Sequence, residues 1–243
     1  MLLECDAMSR SSSTKRPIVE PQPRARIGQA EHTRAEILDA ALQFLWSRPF
    51  REMTVNSLMA TIPISRPAFY KYFDDIYGLM HALMEGLWTE ILAGASPWLS
   101  DDGDPVALLY ESLAAEARIC YRYGPFLKAI GDAKGGSERL EDEWNSMFDI
   151  FDDAAGDRIA ADQDLGLIET FEPRPVANAL NRTSDAIYVQ LFGQRPRRQW
   201  QGALDTVSRI WISTLYGQRW VKDHKSTLYR RQPLVKHELQ GRM

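Results

Sequence analysis

Cysteine is nearly absent from this sequence: Cys5 and Cys120 are the only two among 243 residues. They have no paired spacing, so neither a zinc cluster nor a disulfide framework is expected, and a reducing cytoplasmic setting follows. Long apolar runs are missing too. None reaches the roughly 18 residues that a membrane-spanning helix needs, and the N-terminal stretch from Met1 to Pro17 lacks the apolar core of a signal peptide. No membrane partner is therefore expected. An excess of one charge is lacking as well. The net charge of −4 excludes a uniformly basic nucleic-acid coat, while leaving room for a local basic face. Strictly alternating strand patterns and internal repeats are also absent. What remains is an all-α chain large enough to bury a core and to hold one or two domains.

The first 28 residues are rich in Ser, Arg and Pro and read as a disordered arm. Arg10, Lys15, Arg16, Arg24 and Arg26 outweigh Glu4, Asp6 and Glu20, so the arm could touch DNA phosphates or simply be a solvated tail. From about Glu31 the pattern turns helical, with Ile37, Leu38, Ala41, Leu42 and Leu45 at three- and four-residue spacing. Pro49 stops that helix. Thr54 is placed to cap a short second helix ending before Pro63, and Ser65 to cap a third. Pro67 is tolerated in the third helix because the first turn has no internal partner for the missing N–H. Phe69, Tyr72 and Phe73 turn inward from it. Asp74 or Asp75 caps a fourth helix running to about Ala95. Five more helices follow over about 104–123, 125–133, 138–160, 173–192 and 198–222, about nine in all. The boundaries predicted are an arm at 1–28, a DNA-binding unit at 29–76, a second helical domain at 77–225 and a polar tail at 226–243.

Three helices, one of about 16 residues and two of about 8, with a tight turn between the last two describe a helix-turn-helix. With its aromatics turned inward, the third helix leaves Arg66, Pro67, Tyr70 and Lys71 at or near the outside. Arg can form two parallel hydrogen bonds to guanine O6 and N7, Tyr and Lys suit phosphates, and Pro or Ala can meet a thymine methyl. A small helical hairpin with a solvated charged face would show the same composition.

The order of residues goes further. The run from Thr54-Val55 through Ile64-Ser65-Arg66-Pro67-Ala68-Phe69-Tyr70-Lys71-Tyr72-Phe73 resembles the DNA-binding signature of the TetR family over about residues 31–85. Asn181 in Ala179-Leu180-Asn181-Arg182-Thr183-Ser184, and the stretch Leu204 to Gly217, are similar to the last two helices of the EthR-type subgroup. The resemblance implies an N-terminal three-helix DNA-binding domain plus a C-terminal helical domain for ligand binding and dimerisation. It places DNA contacts on Thr54, Asn56, Ser65, Arg66, Pro67, Ala68, Tyr70, Lys71 and Tyr72. It implies double-stranded operator DNA of pseudo-palindromic form as a partner, a homodimer, and a repressor released by a small apolar effector. Two positions depart from the family pattern. Pro63 stands where Gly is usual, and Ile76 where a phosphate-binding Lys is common.

In the C-terminal part, Trp88, Tyr110, Phe126, Trp144 and Phe148 are aromatic residues on helices that would surround a pocket. Phe151, Tyr188 and Trp211 complete the set, with Asn181 and Ser184 as its polar members. A mostly apolar lining with few polar groups suits a small-molecule site, although such stripes also fill plain cores. An elongated apolar ligand is the expectation. Ala179, Ile187, Leu191, Leu204, Val207, Trp211 and Leu215 are the apolar positions assigned to the dimer contact. Two other readings stand beside this one. Asp152-Asp153-Ala154-Ala155-Gly156-Asp157 superficially resembles the Asp-rich motif of magnesium-dependent prenyl-transfer enzymes, but no second diphosphate site accompanies it. Pro63 and Ile76 would also fit a degenerate family member that binds a ligand or partner without DNA. The expectation is a regulator with no catalytic residue, metal or cofactor.

Overall fold

The computed structural model describes residues 23–100, 103–194 and 199–217. These form nine α-helices and one 3₁₀ turn, and no strand occurs among the described residues. Helix α1 (Pro23–Ser47), the 3₁₀ turn Phe50–Glu52, α2 (Val55–Met59) and α3 (Arg66–Phe69) make the N-terminal unit. Helices α4 (Ile76–Ser100), α5 (Pro105–Tyr123), α6 (Pro125–Lys134), α7 (Glu138–Asp164), α8 (Pro173–Phe192) and α9 (Trp200–Leu215) make the rest. None is long and apolar enough to cross a membrane.

Helix α1 buries Ile37, Ala41, Phe44 and Leu45 and leaves Arg34, Glu36 and Asp39 exposed. Its backbone begins at Pro23, inside the stretch expected to be an arm. The opening turns are polar, so no apolar period marks them, and proline suits a helix's first position. The remainder of the arm and the 226–243 tail lie outside the described residues. Thr54 caps α2 as expected, through a reciprocal box. The Ser57 N–H donates to Thr54 Oγ1 at 3.1 Å, and the Thr54 N–H donates to Ser57 Oγ at 2.9 Å. Ser65 has the extended backbone of a cap, but its side chain makes no capping bond.

Asp75 begins α4 by accepting the Gly78 N–H at 2.8 Å. The helix passes its expected end at Ala95 and reaches Ser100 with Pro97 inside it. Proline normally breaks a helix interior because it frees backbone groups. Here a neighbour takes them up. The Trp98 N–H donates to Ser112 Oγ at 3.1 Å, and the Ser112 hydroxyl donates to the Ala95 carbonyl at 3.3 Å.

Helix α5 is central, packing on α4, α8 and α9, while α7 pairs with α8. The N-terminal unit rests on α6 through α1 and the 3₁₀ turn. Along α9, Leu204, Val207, Trp211 and Leu215 are buried within the chain itself. That corrects their assignment to a dimer contact: with α5 and α8 beneath it, α9 spends its whole apolar stripe on its own core. The outward faces carry smaller and more polar residues, among them exposed Ala179 and Ala186 on α8 and Gly202, Thr206 and Arg209 on α9.

Candidate functional site

Two places in the molecule gather the residues singled out above. The first is the surface of α2 and α3. Phe69 is fully buried and Phe73 nearly so, and the two rings pack with centroids 5.4 Å apart. Backbone bonds extend the turn beyond α3, with the Phe73 N–H donating to the Phe69 carbonyl at 3.1 Å. This register leaves Ser65, Arg66, Pro67 and Lys71 exposed, together with Tyr70 at 52%. Thr54 and Asn56 are exposed on α2. Ala68 and Tyr72 are half-buried. Tyr72 therefore packs on the core margin instead of turning fully inward. The Arg34 guanidinium lies 5.5 Å from the Phe73 ring and ties α1 to the end of this segment. Asp74 and Asp75 flank the face, but Asp75 is engaged in capping α4. A short helix that buries two aromatics and presents Arg, Tyr and Lys on a rigid turn can offer both base-edge and phosphate contacts.

The second place is a pair of adjoining cavities inside the C-terminal domain. The first has a cavity volume of about 40 Å³ and the second about 50 Å³. Ile91, Glu116, Phe151 and Asn181 border both, so they form the waist between two chambers. Four rings from α4 and α7 wall the first chamber. Trp88 lies 4.9 Å from Trp144 and 5.5 Å from both Phe148 and Phe151, centroid to centroid. Trp98, Leu109, Leu113 and Trp211 wall the second.

Polar groups at the chambers are held in fixed orientations. The Asn181 amide donates to Asp152 Oδ1 at 2.7 Å, and Asn178 donates to Asp152 Oδ2 at 2.6 Å. Asn181 thereby uses one of its two amide N–H groups. Asp152 belongs to the Asp-rich run, and its buried carboxylate pins α7 to α8. Asp153 of the same run meets the Arg174 guanidinium at 2.5 Å. Both carboxylates are engaged in contacts between α7 and α8. Trp211 donates to Ser184 Oγ at 2.9 Å. Trp98 donates to the Tyr216 hydroxyl at 3.0 Å, which in turn donates to Asp162 at 2.6 Å.

Of the expected pocket residues, the structure brings Trp88, Trp144, Phe148, Phe151, Asn181 and Tyr188 to the first chamber and Trp211 to the second. Three are not at either chamber. Phe126 is wholly enclosed in the core, Ser184 is buried against the Trp211 indole, and Tyr110 lies half-buried elsewhere on α5. Two important members were missed. Glu116 and Asp185 both border the first chamber. Burial pushes the Glu116 carboxyl up to about 8, with the nearby Asp185 charge adding to the rise and the Tyr188 hydroxyl opposing it. Burial also raises Asp185, against the pull of Lys134 and Arg182. Their signal was in the sequence: Glu116 falls on the stripe Leu109, Leu113, Glu116, Cys120, and Asp185 on the stripe Asn181, Asp185, Tyr188, Phe192. A carboxylate on an inward stripe is a departure from plain core.

The chain resembles known proteins along both halves. Residues 37–83 match the family described as bacterial regulatory proteins, tetR family, and residues 113–217 match the C-terminal domain of the transcriptional regulator EthR. The HTH-type transcriptional regulator EthR of Mycolicibacterium smegmatis is 24% identical over 224 residues, covering 86% of this chain and 97% of that protein. A TetR-family transcriptional regulator from Syntrophomonas wolfei has a similar fold, with a TM-score of 0.63 at 13% identity over 76% of this chain and 95% of that one. A transcriptional regulator from Saccharomonospora viridis, solved in complex with choline, has a TM-score of 0.62 at 11% identity, over 76% of this chain and 98% of that one.

Proposed function

Because this chain is a DNA-binding transcription regulator of the TetR family, EthR-like in its C-terminal domain, we propose that it is a cytoplasmic repressor that a small molecule releases from its operator. One observation carries this reading. Helix α4 starts at Ile76, just after the recognition segment ends, and its later turns supply Leu87, Trp88, Ile91, Ala95 and Trp98 to the two chambers. Its 25 residues span about 37 Å at roughly 1.5 Å per residue. Anything that moves its C-terminal half therefore swings the DNA-binding unit. Arg66 serves base readout, and Tyr70, Lys71 and Thr54 serve phosphates.

Two such units must be presented together. The outward faces of α8 and α9, lined by small residues, suit close approach of a second copy by twofold symmetry, which would read a pseudo-palindrome. Half-sites then lie about 34–36 Å apart, so a swing of a few ångströms misplaces both readers. A ligand shifts this equilibrium only by its difference in affinity between the two states, typically about 1–3 kcal/mol.

The test is reciprocal. DNA selected from a random pool supplies an operator, and thermal-shift screening supplies a ligand. Operator affinity measured with and without that ligand, and ligand affinity with and without operator, should change by the same factor. Tight-binding ligands that leave both unchanged would make the chambers structural only.

A further inference from the structure

The two chambers share one acidic side chain at their waist. Glu116 borders both and is the only ionisable residue of the second. Asp185, on the first chamber, has Lys134 and Arg182 close enough to offset its charge. Glu116 has no such compensation: among the described residues no lysine or arginine pairs with it. Without a counter-ion this carboxyl holds its proton, because ionising it away from water costs several kcal/mol, and the Asn181 amide, with its oxygen and a second N–H, borders the same waist. Two further polar groups on the first chamber are buried without a hydrogen-bond partner, the Trp88 indole N–H and the Tyr188 hydroxyl, which faces Glu116 without completing a bond of normal geometry.

The rings complete the picture. Trp88, Trp144, Phe148 and Phe151 cluster beside these oxygens. Ring faces attract cations through their quadrupoles, and aromatic cages of this type recognise ammonium groups. The same rings already attract cations within the chain, since Lys134 Nζ lies 4.7 Å from the Trp144 centroid and the Arg182 guanidinium 3.8 Å from that of Phe148.

We propose that the effector is an organic cation, an ammonium carrying an alkyl or aryl body, with its head at Glu116 beside the aromatic cluster and its body in the second chamber. This rests on the chambers being the effector site and replaces the expectation of a purely apolar ligand. A neutral hydrocarbon would leave Glu116 and Asn181 without a polar partner. An anion such as a fatty carboxylate would face Asp185 and leave Glu116 unable to ionise. A cation supplies the counter-ion that lets Glu116 give up its proton and ionise, and the uncharged walls of Trp98, Leu109 and Leu113 take its apolar end.

The experiment uses the full chain and three ligands with one body: 4-phenylbutylammonium, 4-phenylbutanol and 4-phenylbutanoate, titrated by calorimetry. The ammonium should bind at least tenfold more tightly than the alcohol, and the carboxylate least of all. Glu116→Gln, checked for folding by its melting temperature, should abolish that preference. The proposal is overturned if the alcohol or carboxylate binds the wild-type chain as well as the ammonium does, if none of the three binds, or if Glu116→Gln keeps the ammonium preference. Operator release is read separately. Release by the bound alcohol, without selectivity for the ammonium, would sink the cation and keep the effector site. Selective ammonium binding without release would do the reverse.

Discussion

The indole of Trp46, near the end of α1, occupies the space where a side chain on Gly124 would stand. A β-carbon on Gly124 would lie 2.1 Å from Trp46 Cζ2 and 2.2 Å from Cη2. Gly124 joins α5 to α6 with φ +52° and ψ −121°, a conformation that only glycine adopts freely. The DNA-binding unit thus abuts the ligand-binding domain at a residue that can carry no side chain.

Gly124→Ala should destabilise the fold by roughly 3 kcal/mol, from backbone strain of about 1–3 kcal/mol and overpacking of similar size. The urea midpoint reads the loss. Pairing it with Trp46→Leu should recover the overpacking part but not the backbone part. Full recovery in the double variant would show that the backbone at Gly124 is unstrained.

On the recognition segment, Arg66→Ala should cost about 1–3 kcal/mol for the selected operator and little for scrambled DNA. Lys71→Ala should weaken both alike and lower the slope of log affinity against log salt by about 1. Fluorescence anisotropy across a salt series separates the two. A salt slope unchanged by Lys71→Ala would remove it from the phosphate contacts.

Much of this architecture was legible because its boundaries are written in cap chemistry. Thr54 accepts a backbone N–H at the start of α2, as its residue type predicts, and in the structure Asp104 and Ser137 do the same for α5 and α7. Polar turns without an apolar period, as at the start of α1, gave no such signal. Helical periodicity tells which face turns inward, but not which inward residue leaves space beside it. Phe126 and Phe151 look alike in sequence, yet one fills the core and the other borders both chambers. The apolar stripe of α9 could equally have covered a partner or its own domain, and only the position of α5 decides.

Asp152→Ala should cost about 2–4 kcal/mol, because Asn178 and Asn181 each lose an acceptor and a buried space remains. It should also free Asn181 to rotate, so that ligand affinity changes even though Asp152 is not among the residues bordering either chamber. Calorimetry with 4-phenylbutylammonium, alongside thermal melting, checks both effects. An unchanged melting temperature would mean that the α7–α8 contact does not depend on this carboxylate.

The Glu116 carboxyl at the waist should leave its mark on stability against pH. Glu116 is raised from the ordinary 4.5 to about 8. Below about pH 4.5 it is protonated in both folded and unfolded chains, and it costs nothing. Between about 4.5 and 8 the unfolded chain ionises while the folded chain keeps its proton, so stability falls as pH rises. Above about 8 both are ionised and the loss is complete. The groups facing it are Asp185 and Tyr188 from α8 and Cys120 on its own helix, with Lys134 and Arg182 acting on Asp185. Glu116→Gln keeps these groups and removes only the titration. Its stability advantage over the wild-type chain should therefore grow from pH 4.5 to 8 and level off above, on the order of 3 kcal/mol. Urea unfolding of both chains at matched protein concentration measures the gap. A gap that stays flat across this window would show that Glu116 ionises as an ordinary surface carboxylate, and that the waist is open to water.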